Sequence, residues 1–206
     1  MRTLIHLLVF VLIAATSLLL TACGGGSDAA DSAAGRDPET LKVALLPDED
    51  PSTIITKNKG FKAYLEDAIG KPIELVVTTD YSSMIEAMAN QRIDLGYFGP
   101  LSYCLAQTKA DITPFAAKTK KGSPTYRSVL VVAADAGIDE PADIADHTVA
   151  WGDQASTSSH LIPKSILKDA GLEPGTDYQE HFTGSHDAVA LAVQNILGDL
   201  LASLSI

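Results

Sequence analysis

The chain has 206 residues, 46% of them apolar and 20% charged, which suits one large or two small packed cores. A formal charge of -11 argues against nucleic acid as a partner. The two cysteines and five histidines form no metal-ligand cluster, so neither a metal nor any other cofactor is expected.

Arg2 precedes an apolar run from Leu4 to Leu20, broken by His6, Thr16 and Ser17 and shorter than the roughly 20 residues that a spanning helix prefers. Residues 1–22 read as a signal peptide. Its end, Leu20-Thr21-Ala22-Cys23-Gly24, resembles the lipobox of bacterial lipoproteins, in which the cysteine is lipidated. This resemblance implies that Cys23 holds the protein at a membrane, on the extracytoplasmic side, without spanning it. Residues 23–40, rich in Gly, Ala, Ser and Asp, have too little apolar surface to fold and serve as a tether. Cys104 is then a lone thiol, expected as a buried small hydrophobe beside Leu101, Tyr103 and Leu105.

From residue 41, short apolar runs alternate with longer amphipathic ones, the pattern of β-α units on a largely parallel sheet. Leu41 to Leu46 is the first strand. Phe61, Tyr64, Leu65, Ala68 and Ile69 give one helical face, ended by Gly70-Lys71-Pro72, and Ile73 to Val77 is the second strand. Ser83 and Glu86 suggest a capping box for a helix with Met84 and Met88 in the core, and Ile93 to Tyr97 a third strand. A helix follows Gly99-Pro100 to about Lys109, then strands over Thr113 to Lys118 and Arg127 to Ala133 flank the turn Lys120 to Pro124. Pro141 opens a short helix. Thr148 to Trp151 is a strand, Ser158 to Ala170 a helix ended by Gly171, and Tyr178 to Phe182 a further strand before a helix through Val193. The expected architecture is α/β: two lobes, residues 41–130 and 131–206, with a cleft at the strand ends.

The segment Gly152 to His160 leaves a strand and enters a helix, where unpaired N–H groups and the macrodipole favour an anion. Hydroxyls at Ser156, Thr157, Ser158 and Ser159 add donors beyond what one helix cap needs, although a plain cap is the competing reading. A second such turn carries His186 after Thr183-Gly184-Ser185, and a third carries Tyr81 after Thr78-Thr79-Asp80.

Four stretches carry a family resemblance: Asp94 to Pro100, Gly122 to Val129, Ser156 to His160 and Gly184 to Ala188. In their order and spacing they resemble the phosphonate-binding family of ABC-transporter substrate-binding proteins, which has the type 2 periplasmic-binding-protein fold. The resemblance implies a monomeric solute-binding lipoprotein that delivers a phosphonate, phosphite or related phosphorus oxyanion to a membrane permease. It implies that Ser156, Thr157 and Ser158 hold the phosphorus oxygens while Tyr81, Tyr126 and His186 close over the ligand, with Tyr97 and His160 as secondary candidates. After Asn195 the chain departs from the family pattern, and a truncated second lobe without its return crossover, binding ligand poorly, is the expectation.

Two rivals remain at this level. A lipid-anchored hydrolase of phosphate esters would need a nucleophile, yet no Gly-x-Ser-x-Gly elbow is present and no evident carboxylate orienter lies beside Ser156 to Ser158. A lipoprotein with a protein-interaction role would leave the donor-rich turns as simple caps.

Overall fold

The computed structural model describes residues 36–119, 122–195 and 200–205. The signal peptide, Cys23 and the tether as far as Gly35 lie outside the described residues, as do Lys120, Lys121 and the stretch from Ile196 to Asp199.

Two sheets organise the body. Strand β1 (Leu41–Leu45) lies between β2 (Ile73–Val77) and β3 (Leu95–Gly96), all parallel, with Val43 opposite both Leu75 and Leu95. The second sheet has the order β4 (Ser128–Val131), β7 (Leu200–Ser205), β5 (Thr148–Trp151) and β6 (Gln179–Phe182). In it β4 runs antiparallel to β7 while β5 is parallel to both β6 and β7. The sequence reading assigned no element to residues 200–205, and the structure makes them an inner strand of the second sheet.

Helices connect the strands. Helix α1 (Pro51–Lys57) was missed, because Ile54 is its only buried residue and no apolar period marks it. It is set instead by chemistry at its start, where Pro51 supplies a helical φ and Asp50 accepts from the Thr53 N–H at 3.0 Å. Helix α2 (Lys59–Ile69) ends as expected at Gly70, whose φ of 73° a β-carbon would disfavour. Its apolar stripe is not buried: Phe61, Tyr64 and Ile69 are exposed. Helix α3 (Tyr81–Ala89) starts earlier than the supposed Ser83 box, since Asp80 is extended and its carboxylate takes the Ser83 N–H at 2.6 Å. A carboxylate at the positive helix end is the stronger cap.

Helix α4 (Pro100–Gln107) carries Cys104 on its exposed side, contrary to the expected burial. Thr113 to Lys118 is not a strand; its residues are exposed, and Pro114 cannot donate to a ladder. The helix expected over Ser158 to Ala170 is split into a wide π turn (Thr157–Leu161) and helix α5 (Ile162–Asp169). Pro163 explains the split. Four residues after Ser159, it has no N–H for the Ser159 carbonyl, which accepts instead from Gly152 N–H at 3.2 Å, while Leu161 N–H reaches back five residues to the Ser156 carbonyl at 3.1 Å. Helix α6 (His186–Asn195) packs on β5 through Val189 and Ala150.

One core gathers Ala44, Leu46, Tyr81, Met84, Ile85, Ile93 and Ala106 around the first sheet, and Ala155 from the β5 loop joins it. Another, around β5, is built on Trp151, Tyr178, Leu167, Leu172, Ile144 and Val149. Trp151 is fully buried and donates its indole N–H to Glu180 at 2.8 Å. Trp151→Ala should lower the unfolding free energy by about 3–5 kcal/mol, measured by urea titration.

Candidate functional site

Five strands end on one side of the body, and the loops after their carboxyl ends line a single cavity of about 890 Å³. After β1 come Asp48 and Glu49, after β2 Tyr81, after β3 Tyr97 to Pro100, after β5 Ser156 to Ser158, and after β6 His186. The exposed connection between α4 and β4 completes the lining with Lys118 and Tyr126. Parallel strands aim their ends the same way, so such loops meet.

Four helical segments among the described residues begin at this cavity, with Tyr81, Pro100, Thr157 and His186 as their first residues. Each start adds roughly half a positive charge, which offsets the acidity of the chain where it counts. Three of the N–H groups at these starts are used across the cleft between the sheets. Tyr81 N–H donates to the Asp153 carboxylate at 3.3 Å, Leu101 N–H to Thr157 Oγ1 at 2.9 Å, and His186 N–H to the Asp48 carbonyl at 2.8 Å.

The β5 loop is held from several sides. Asp153 Oδ1 accepts from Ala155 N–H at 2.7 Å, and Ser128 Oγ donates to the Ser158 carbonyl. Ser156 Oγ accepts twice, from Ser159 N–H at 3.2 Å and Ser159 Oγ at 2.8 Å. Thr157 Oγ1 accepts from Leu101 as above. A hydroxyl oxygen occupied as an acceptor keeps its own proton to give, so Ser156 and Thr157 are left as donors. No room is spare behind them: a β-carbon at Gly152 would collide with Ser159 Oγ and sit 3.2 Å from Ser159 Cβ and 3.4 Å from His186 Cδ2. Gly152→Ala should therefore destabilise the chain by about 1–3 kcal/mol, seen as a lowered thermal midpoint.

Burial sets the protonation of the lining. It pushes the buried Tyr81 phenol well up, with the Asp48 charge adding to the effect and the Ser156 hydroxyl opposing it. Tyr97 is raised by the same desolvation, then by Asp48 and Tyr126. Burial also holds the His186 imidazole below its ordinary value, against the pull of Asp48, Glu49 and Asp187. Above the ordinary histidine value these groups are neutral, and each phenol carries a proton to donate. Asp48 is shifted upward by burial, partly countered by His186.

Of the eight residues singled out from sequence, Tyr81, Tyr97, Tyr126, Ser156, Thr157, Ser158 and His186 line the cavity. Tyr97 is not a core ring; it is 43% exposed, with the Lys118 ammonium 5.6 Å from its centroid. His160 does not join them. Its ring lies edge-on to Trp151 and Phe182, and its Nδ1 meets the Gln154 carbonyl at 2.8 Å. A carbonyl only accepts, so Nδ1 carries a proton, and Nε2 is buried without a hydrogen-bond partner among the described residues, away from the cavity lining.

Sequence reasoning missed Asp48, Glu49 and Lys118. Position alone marked the carboxylates, two and three residues past the first strand's apolar run at the edge where ligands bind. Lys118 was hidden in a stretch taken for a strand.

The family model for the ABC transporter, phosphonate, periplasmic substrate-binding protein matches residues 43–203. The chain belongs to that family. It is 32% identical over 193 residues to the phosphate-import protein PhnD of Mycolicibacterium smegmatis, covering 88% of this chain and 60% of that protein. Among solved structures it resembles a binding-protein component of an ABC phosphonate transporter from Pseudomonas aeruginosa, with TM-score 0.75 and 23% identity over 82% of this chain and 58% of the other. It also resembles PhnD1 of Prochlorococcus marinus in complex with methylphosphonate, with TM-score 0.73, 23% identity, and coverage of 82% and 64%. The shared fold is the type 2 periplasmic-binding-protein fold. The chain spans about three-fifths of the length of these three relatives.

The desolvated Asp48 gives a stability test. Its folded pKa is raised, so the charged form costs stability at pH values above that pKa, and the cost disappears as pH falls below the ordinary carboxylate value. Asp48→Asn should raise the thermal midpoint of the ligand-free chain at neutral pH and leave it unchanged in acid, as scanning calorimetry at several pH values would record.

Proposed function

We propose that the chain is the extracytoplasmic solute-binding component of an ABC importer, capturing phosphonate, phosphite or a related phosphorus oxyanion and passing it to the membrane permease. One observation carries the reading. The Ser156 and Thr157 oxygens are already occupied by inward N–H and O–H donors, which leaves the Thr157 proton to give and joins the Ser156 hydroxyl to the Tyr81 phenol at the place where four helix starts meet. Tyr81 and His186 add neutral donors from the two sides of the cleft, and Lys118 supplies a positive charge beside Tyr97. Such a set binds a tetrahedral oxyanion without performing chemistry on it. Two relatives point the same way, one a phosphate-import protein and the other seen in complex with methylphosphonate.

In this reading each sheet founds one lobe, with the change of lobe ahead of Ser128 rather than at residue 130, since all of β4 pairs with β7. Bound anion favours the closed arrangement, which the permease recognises. Cys23 is the anchor, holding a monomer at the outer side of a membrane.

Calorimetric titration of methylphosphonate, phosphite, phosphate and sulfate tests this. At least one phosphorus anion is expected to bind a full-length version with a submillimolar dissociation constant, this shortened chain little or not at all, and Ser156→Ala/Thr157→Ala in the full-length version to weaken binding by about thirtyfold or more. Equal binding by the double variant would remove the site.

A further inference from the structure

Four carboxylates among the described residues line the cavity, an odd provision for an anion site, and they are not equivalent. Glu49 is drawn away by an ion pair with Lys57. Asp94 takes the Lys42 N–H at 2.8 Å, and Asp111 is exposed to water. Asp48 differs from all three. Its backbone is fixed on both sides, the N–H donating to the Leu46 carbonyl at 3.0 Å and the carbonyl accepting from His186 at 2.8 Å. Among the described residues no side-chain hydrogen bond reaches its carboxylate, which meets only its own backbone N–H and is partly withdrawn from solvent beside Tyr81, Tyr97, His186 and Lys118.

A cavity of donors alone accepts any small oxyanion. Placing one acceptor among them breaks that tolerance, because a carboxylate repels a fully ionised ligand and rewards one that brings its own O–H. Resting on the oxyanion reading above, we infer that Asp48 is the specificity-determining acceptor of this cavity, taking a hydrogen bond from a ligand oxygen that keeps its proton. Phosphonate, phosphite and phosphate share such an oxygen near neutral pH; sulfate and sulfonates have none.

The test pairs two ligands of the same shape and single charge, methylphosphonate monoanion and methanesulfonate, which differ by that one proton. Calorimetry on the unmodified full-length version near pH 6.5 should favour methylphosphonate by roughly a hundredfold or more. Asp48→Asn, whose amide can donate, should cut the ratio to less than roughly tenfold, largely by admitting methanesulfonate. A second measurement needs no variant. Between pH 6.5 and 9 His186, lowered by burial, and Tyr81 and Tyr97, raised by it, stay neutral beside Lys118, Glu49 and Tyr126, so methylphosphonate affinity should fall as the ligand loses its last proton. An unchanged ratio in the variant, or affinity that rises with pH, overturns the role of Asp48 while leaving the oxyanion site standing. No binding of methylphosphonate, phosphite or phosphate to the unmodified full-length version overturns both.

Discussion

Everything at the cleft depends on main-chain donors that a helix cannot satisfy internally. A chain with eleven more acidic than basic side chains has little free positive charge to offer, and Lys118 is the only Lys or Arg among the described residues lining the cavity. The fold answers with geometry. Parallel strands end on one side, and four helix starts border the same volume. The charge so created is fixed by the backbone and does not titrate.

Those donors have a second employment. Tyr81, Leu101 and His186 each send a backbone N–H across to the opposite sheet, and each of these bonds lies within a residue or two of a group that lines the cavity. The contacts that hold the halves together and those that would hold an anion are thus adjacent. Leu101 illustrates this economy, since by occupying the Thr157 oxygen it both bridges the cleft and leaves that hydroxyl a donor.

Much of this was legible in the sequence, and the exceptions share a cause. Strands β1, β2 and β5 follow from apolar runs bounded by Pro and Gly, and Gly70 fixed the end of α2 because few residues accept its backbone angle. The cavity residues carried by strand-to-helix turns were found for the same local reason. What escaped were features decided by distant partners. Lys118 lines the cavity through tertiary position, α1 rests on one buried Ile and a side-chain cap, and Asp48 looks in sequence like any acidic loop residue. His160 failed in the opposite direction, because adjacency to the serines in sequence said nothing of where its ring would pack. The π turn was readable in principle: Pro163 stands four residues after Ser159 and forbids a regular helix there.

Strand β7 is the last of the seven described strands in chain order, yet it lies inside its sheet, between β4 and β5. Nothing made earlier can join those two. While the polypeptide is still emerging from the ribosome, β4 must wait with an unsatisfied edge across some seventy residues of intervening chain, a closure of high sequence separation and therefore slow. The join between β4 and β5 is consequently made only once β7 has been synthesised, whereas β5 and β6 can pair before it, and until then the facing edges of β4 and β5 are open to mispairing.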